Sequence, residues 1–400
     1  MSVQRNTHHV VPGFMANGIS AGIKSDGKRD LSLIVSAIPA RAAGVFTTNS
    51  FKAAPVVIDM GRIKSGYAQA ILTNSGNANA ATGLQGYRDA LLIGRKVARS
   101  LNMDEDLVLV ASTGVIGQRL PVRSIIDGME DLVRGLRGDG LQAAEEAIMT
   151  TDWFPKMASR RCRIDGRVVT VFGMAKGAGM IEPNMATMLA FFLTDADIDT
   201  PSLKRVFREV IDQTFNAISV DGCMSTNDTA LILANGVAGN RTLKASSQGI
   251  NIFKHILYEV AAELARSMVR DGEGATKVID IRVEKARTRQ EAAKVAYAIA
   301  RSNLVKTAFY GGDPNWGRII SAAGSVGIAL PVDKVVLRLE GKRVFGGGKG
   351  IKVPREVLKA IMTRDEISLT LQLGMGSQCW RVLASDLTHE YVNINAHYHT

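Results

Sequence analysis

Thr187 opens an apolar run, residues 188–193, directly after Ala186 and just beyond the turn pair Pro183-Asn184. A threonine in that place becomes a nucleophile if the Ala186–Thr187 bond is cut, because the cut frees an α-amine on the residue that carries the hydroxyl. Such an amine has an ordinary pKa of about 7.7–8 and can take the hydroxyl proton near neutral pH. Uncut, Thr187 would be a β-propensity residue in a core strand. A second pair, Thr113-Gly114, ends the apolar run that starts at Leu107. A strand end of this kind can offer a hydroxyl and a backbone N–H to one oxygen, which is what a tetrahedral acyl intermediate needs. On its own the pair reads as a turn.

These groups need strands to hold them. Residues 168–174 read as a strand, Lys176-Gly177-Ala178-Gly179 as a glycine-rich loop, and 188–193 as a second strand. Runs at 10–14, 18–23, 31–38 and 43–46 read as strands and hairpins. Residues 71–79 run from a strand end into a small-residue polar turn that faces a ligand, caps the helix at about 85–101, or does both. Residues 107–118 read as a strand, 121–136 as one helix begun by Pro121, and 141–149 as another. Thr150-Thr151-Asp152 offers N-cap chemistry. Thr200-Pro201 caps an amphipathic helix with Leu203, Val206, Phe207, Val210, Ile211 and Phe215 on one face. A further helix spans about 251–270, and Thr288 and Glu291 form a capping box for a helix at 289–301. Residues 331–385 read as a β-rich module with a helix near 354–362. In that module Gly346-Gly347-Gly348-Lys349-Gly350 lacks the Ser or Thr of a phosphate loop and reads as a hairpin. Glu273, between two glycines, reads as an accessible carboxylate. Val392, Ile394 and Tyr398 alternate as in an edge strand.

Composition sets the class. At 400 residues the chain is long for one core, and it is 46% hydrophobic without an apolar run near the ~20 residues a membrane span requires. Three cysteines, with no signal-peptide order at the start, point to a reducing, cytoplasmic compartment. The net charge of +11 raises a nucleic-acid partner, but the basic residues are interleaved with acids and only 6% of the chain is aromatic. The six histidines show no metal-ligand spacing. Neither nucleic acid nor membrane is expected as a partner.

Several contiguous blocks resemble the ornithine acetyltransferase family, the glutamate N-acetyltransferases of arginine biosynthesis. They include Lys176-Gly177-Ala178-Gly179-Met180-Ile181, Pro183-Asn184-Met185-Ala186-Thr187-Met188-Leu189 and Ile71-Leu72-Thr73-Asn74-Ser75-Gly76-Asn77-Ala78-Asn79. Ser225-Thr226-Asn227-Asp228-Thr229, the run from Asp271 to Lys277 and the terminal Asn395…Thr400 belong with them, so the likeness runs from about residue 10 to Thr400. Cys223-Met224 departs from the Asp-Thr more usual in that family.

The resemblance implies an α/β (α+β) fold of layered sheets flanked by helices, N-terminal-nucleophile-like, with a smaller C-terminal β-rich module at about 285–400. It implies self-cleavage at Ala186–Thr187 into chains 1–186 and 187–400, associated as a heterotetramer of two α and two β chains. Thr187 would be the nucleophile and Thr113 with Gly114 the oxyanion hole. Thr151 (with Thr150 close behind), Lys176, Thr187, Glu273, Asn395 and Thr400 would bind substrate. The substrates would be N-acetylornithine and glutamate, exchanging acetyl by a ping-pong route with no bound cofactor and no metal. Whether acetyl-CoA is also a donor, which would make the enzyme bifunctional, stays open, as the sequence carries no recognisable CoA motif. Two alternatives stand beside this reading: an N-terminal-threonine amidohydrolase or aminopeptidase, and a basic binding protein whose Thr187 never becomes N-terminal.

Overall fold

The computed structural model describes residues 4–5, 9–182 and 188–397. Short β1 (Gln4–Arg5) and β2 (Phe14–Ile19) precede β3 (Leu31–Phe46), which is one continuous strand through both of the runs expected separately. Pro39 is tolerated because the ladder to the next strand is broken between Val35 and Ala40, so its missing N–H costs no rung. Helix α1 (Ala54–Arg62) follows, with Pro55 in the first turn, where a helix needs no N–H. Next come β4 (Tyr67–Asn77), α2 (Gly83–Leu101) and β5 (Val108–Val115), and β5 runs parallel to β4.

The single helix expected at 121–136 is two, α3 (Val122–Asp127) and α4 (Met129–Arg134). The break is at Gly128, where a Cβ would press on Ile19 and Ala21. Helix α5 (Leu141–Ile148) leads to β6 (Met157–Ile164) and β7 (Arg167–Lys176), a hairpin whose turn residues Asp165 and Gly166 both take positive φ. Lys176 is therefore the last residue of a strand and not part of the loop after it. The chain resumes at β8 (Leu189–Thr194), followed by α6 (Thr200–Gln213), which is capped by Asp199, one residue earlier than expected.

The remaining elements are β9 (Ile218–Ser219), β10 (Thr229–Ala234), α7 (Gly249–Arg270), β11 (Val278–Ala286), α8 (Arg289–Arg301), α9 (Asn303–Tyr310) and α10 (Trp316–Gly324). As the capping box requires, Thr288 accepts from the Glu291 N–H at the start of α8. Then come β12 (Val336–Leu339), β13 (Lys342–Gly346), β14 (Lys349–Gly350), α11 (Arg355–Met362), β15 (Glu366–Gln372), β16 (Gln378–Ser385) and α12 (His389–Ala396). Gly347 and Gly348 form the expected hairpin loop.

Among the described residues the first sheet runs β1-β6-β7-β8-β10-β3-β4-β5 with β2 on β3, and the second runs β14-β13-β12-β15-β11-β16-β9. Both mix parallel and antiparallel pairs. The strands β7, β8 and β10 are covered on both faces. Val171, Phe192 and Ile232 pack under α6 and α7, while Phe172, Phe191 and Leu231 share the opposite core with α5. That double burial explains why residues 189–193 read as an unbroken apolar run. Phe192, fully buried, meets Phe207 and Phe215 edge-on, and each such side chain contributes roughly 1.5–3 kcal/mol. The second sheet has its own core against α8 and α10. The architecture is α/β, with sheets flanked by helices. No described helix is long and apolar enough to cross a membrane.

The chain end is the clearest departure from expectation. Instead of an edge strand, residues 389–396 form α12. Thr388 accepts from the Tyr391 N–H, and Glu390 sits in the first turn, where the helix dipole favours an anion. These start signals outweigh the short apolar alternation of Val392 and Ile394.

Candidate active site

The end of β4 pairs with the start of the long β3 and the start of β10 with its far end, yet Asn227, just before β10, bonds Ala78 and Ser112, so the sheet folds back on itself and these strand ends meet. A pocket where they meet is lined by Thr113, Gly114, Thr150, Thr151, Lys176, Glu273 and Asn395. Sequence positions hundreds of residues apart are thus brought within hydrogen-bond reach. Ala186, Thr187 and Thr400 lie outside the described residues. The pocket sits where the connection between β7 and β8 leaves and re-enters the sheet.

Gly114 sits at φ +133° against Gly76, where a Cβ would come within 2.3 Å of the Gly76 carbonyl carbon, so no other residue fits the end of β5. Beside it the buried Lys176 ammonium donates to the Thr150 hydroxyl at 2.6 Å and to the Thr113 hydroxyl at 3.3 Å. Because Thr113 Oγ1 accepts from Lys176, its own proton is left to point elsewhere. Burial lowers the Lys176 pKa, against the attraction of Asp152 3.9 Å away.

Asp152 organises the floor. The sequence suggested N-cap chemistry at 150–152, but no helix follows; the segment joins α5 to β6. Asp152 instead accepts from the Gly177 N–H at 2.7 Å, the Thr150 N–H at 2.9 Å and Lys156 at 2.7 Å. Burial alone would raise its carboxyl, but Lys176 and Lys156 hold it well below the usual carboxylate range. Lys156 also bridges to Asp271, two residues before Glu273. Burial works to lower the Lys156 pKa, but Asp152 and Asp271 overcome it and raise the value. The ion pairs therefore fasten the segment carrying Thr151 to the loop carrying Glu273.

Glu273 is only 8% exposed and not the open carboxylate expected. Thr151 donates to one oxygen and Asn395, from α12, to the other, both at 2.8 Å. It also lies against Gly179, where a Cβ would come within 2.4 Å of the carboxylate. Helix or strand, the chain end delivers Asn395 to this carboxylate.

Sequence reasoning missed Lys156 and gave no site role to Asp152, Asp271 or Asn227, which it saw only in a cap or within a motif. Asn227 donates to the Ala78 and Ser112 carbonyls at 2.6 and 2.7 Å, tying the 225–229 segment to the ends of β4 and β5. Cys223 is exposed and outside the pocket lining. No described cluster of His, Cys, Asp or Glu could hold a metal ion.

One buried acid nearby makes a stability prediction. Glu145 accepts from the Lys156 N–H at 2.9 Å, its other oxygen lacks a partner among the described residues, and burial pushes its pKa up to about 8. A raised folded pKa means the group is neutral in both states below its unfolded value, and costs stability as pH rises toward 8. Glu145→Gln should therefore change nothing near pH 4 and stabilise by roughly 1–3 kcal/mol at pH 8. Urea midpoints at both pH values check this, and equal effects at both would refute it.

Residues 15–400 match the model of the ArgJ family. An arginine biosynthesis bifunctional protein ArgJ from Geobacter sulfurreducens is 47% identical over 391 residues, covering 98% of this chain and 100% of the relative. Another, from Caldanaerobacter subterraneus subsp. tengcongensis, is 44% identical over 392 residues, covering 97% of each. Among solved structures, ornithine acetyltransferase complexed with ornithine from Mycobacterium tuberculosis shares 38% identity. It covers 46% of this chain and 98% of its own, with a TM-score of 0.43. With a match over nearly its whole length and relatives at this level of identity, the chain belongs to the ArgJ family.

Proposed function

We propose that the protein cuts itself between Ala186 and Thr187 and then moves acetyl from N-acetylornithine to glutamate, in arginine biosynthesis. The observation that carries this reading is the pocket where the strand ends meet. There Lys176 leaves the Thr113 hydroxyl free to donate, and Glu273 waits between Thr151 and Asn395.

The freed amine of Thr187 takes the hydroxyl proton as Oγ1 attacks the acetyl carbonyl. The Thr113 hydroxyl and Gly114 N–H stabilise the oxyanion. The C–N bond to ornithine breaks, the proton goes to the leaving amine, and acetyl stays on Thr187. The amine of glutamate then attacks the acetyl-threonine, restores the hydroxyl and leaves as N-acetylglutamate. Glu273 suits the cationic groups of ornithine, while Lys176 and Thr400 complete the grip on the amino-acid end. Acetyl-CoA is a second donor to the same threonine, which would make the enzyme bifunctional. The chains 1–186 and 187–400, the second ending in the smaller module at about 285–400, stay together and pair as a heterotetramer in the cytoplasm.

Initial rates at varied glutamate and N-acetylornithine test the chemistry. Parallel lines are expected, with an acetylated 187–400 chain trapped when no acceptor is present. Release of acetate to water, independent of glutamate, would make the protein a hydrolase instead; intersecting lines without an adduct would replace the two-step route by direct transfer.

A further inference from the structure

Two aspartates from one segment hold the main chain on both sides of the connection between β7 and β8. Asp221 and Asp228 lie in residues 219–229, between β9 and β10. Upstream, the Met180 and Ile181 N–H groups donate to separate oxygens of Asp221, the second at 2.9 Å, and the Cys223 N–H joins them at 3.1 Å. The Val220 N–H donates to the Ile181 carbonyl at 2.8 Å. Met180 is held at φ +56°, a conformation a side-chain-bearing residue keeps only when its surroundings over-determine it.

Downstream, the Met188 N–H donates to Asp228 Oδ1 at 3.0 Å, and the Met188 carbonyl accepts from the Thr229 N–H at 3.1 Å. Asp228 is fully buried, with the Thr47 and Ser225 hydroxyls beside it. The Met188 N–H belongs to the planar peptide unit that begins at Thr187. Fixing that N–H therefore fixes the backbone from which the nucleophile projects.

We propose that Asp221 and Asp228 are positioning residues, Asp221 for the arm that leads to the scissile bond and Asp228 for the backbone of the nucleophile. This rests on the self-cleavage reading above. The two roles separate once the chain is cut. Met180 and Ile181 then belong to the other chain, so Asp221 no longer bears on the backbone of the nucleophile; its one contact from the second chain's end is the Tyr391 hydroxyl at 3.4 Å. Thr187 stays joined to Met188, so Asp228 serves both reactions. The side-chain chemistry differs as well. Both Asp221 oxygens accept N–H groups, and an asparagine would turn an NH₂ toward one of them. Asp228 gives only one oxygen to Met188, and its other oxygen accepts no N–H group among the described residues, so an amide NH₂ can take that place. Asparagine should therefore substitute at 228 and not at 221.

The test uses full-length chains carrying Asp221→Asn, Asp228→Ala and Asp228→Asn beside the wild type. It follows the two-chain product on denaturing gels, then turnover per cut molecule with N-acetylornithine and glutamate, with urea midpoints for each. D221N should slow cutting about 10- to 100-fold, the cost of a lost charge-assisted hydrogen bond, and leave turnover per cut molecule within about threefold. D228A should slow cutting and lower kcat by a similar factor with little change in KM, and D228N should bring both back to within about threefold of wild type. Asp221→Ser, which loses bulk as well as an oxygen, replaces D221N if that variant does not fold.

Wild-type cutting by D221N, normal turnover by cut D228A, or a D228N as impaired as D228A would each overturn the anchors while leaving the cleavage reading intact. A wild-type chain that is never cut would overturn both.

Discussion

Replacing Thr187 by alanine is expected to leave a single 42.9 kDa chain and no measurable acetyl transfer. One oxygen serves both events: it must attack the preceding carbonyl for the bond to be cut, and later carry the acetyl group. Alanine removes it without disturbing the strands on either side, Lys176 at the end of β7 and Leu189 at the start of β8. Removal of a nucleophile costs on the order of 10⁶ in kcat where it has been dissected. Thr187→Ser, which keeps an oxygen, should still cut and still carry acetyl. Mass spectrometry of fresh and aged protein reads the first outcome and the glutamate assay the second. A T187A chain found as two fragments would end the assignment.

The second large effect is expected from Thr113→Ala. Lys176 donates to Thr113 Oγ1, so on the proposed mechanism the hydroxyl is oriented before substrate arrives and would donate where charge develops on the acetyl oxygen. A preorganised donor of this kind is worth about 10²–10³ in kcat. Because the donation strengthens as the carbonyl becomes an oxyanion, KM should change little and kcat should carry the loss. A raised KM at constant kcat would mean that Thr113 grips the ground state and is not an oxyanion donor.

How much of this was legible depends on the range of the interaction concerned. Strands whose burial is two-sided announce themselves locally, and residues 189–193 could be read directly because every side chain meets a core. The capping box at Thr288 and the glycine hairpin at 347–348 were equally readable, since each is complete within a few residues. Where local signals compete, reading the sequence failed. Pro39 and Pro55 look alike as breakers, yet one sits at a gap in a ladder and the other in a first helical turn. In the tail, the Thr388 cap defeated the apolar alternation beyond it.

The pocket residues drew attention through their motifs, but what orients them is long-range. Asp152 reaches Lys156 within its own segment and, through it, Asp271 from 115 positions away. No periodicity encodes such a pairing. The burial of Glu273 is of the same kind, since it needs Thr151 and Asn395, each 122 positions away, one before it and one after.

Strands β8 and β10 stand between β7 and β3, so after a cut at 186–187 the first sheet is dovetailed from two polypeptides. The β7–β8 ladder joins six residue pairs across one seam and the β10–β3 ladder six across the other. The uncut precursor forms both seams within one chain. A cut molecule that has come apart would have to form them in a bimolecular encounter between two fragments with exposed strand edges, which aggregate readily. Maturation thus converts a reversible folder into one whose working life is set by its unfolding rate. Thermal inactivation of the cut protein should be a one-way, scan-rate-dependent decay, and halves from different molecules should never exchange. Each active molecule then keeps for life the partner chain it was born attached to.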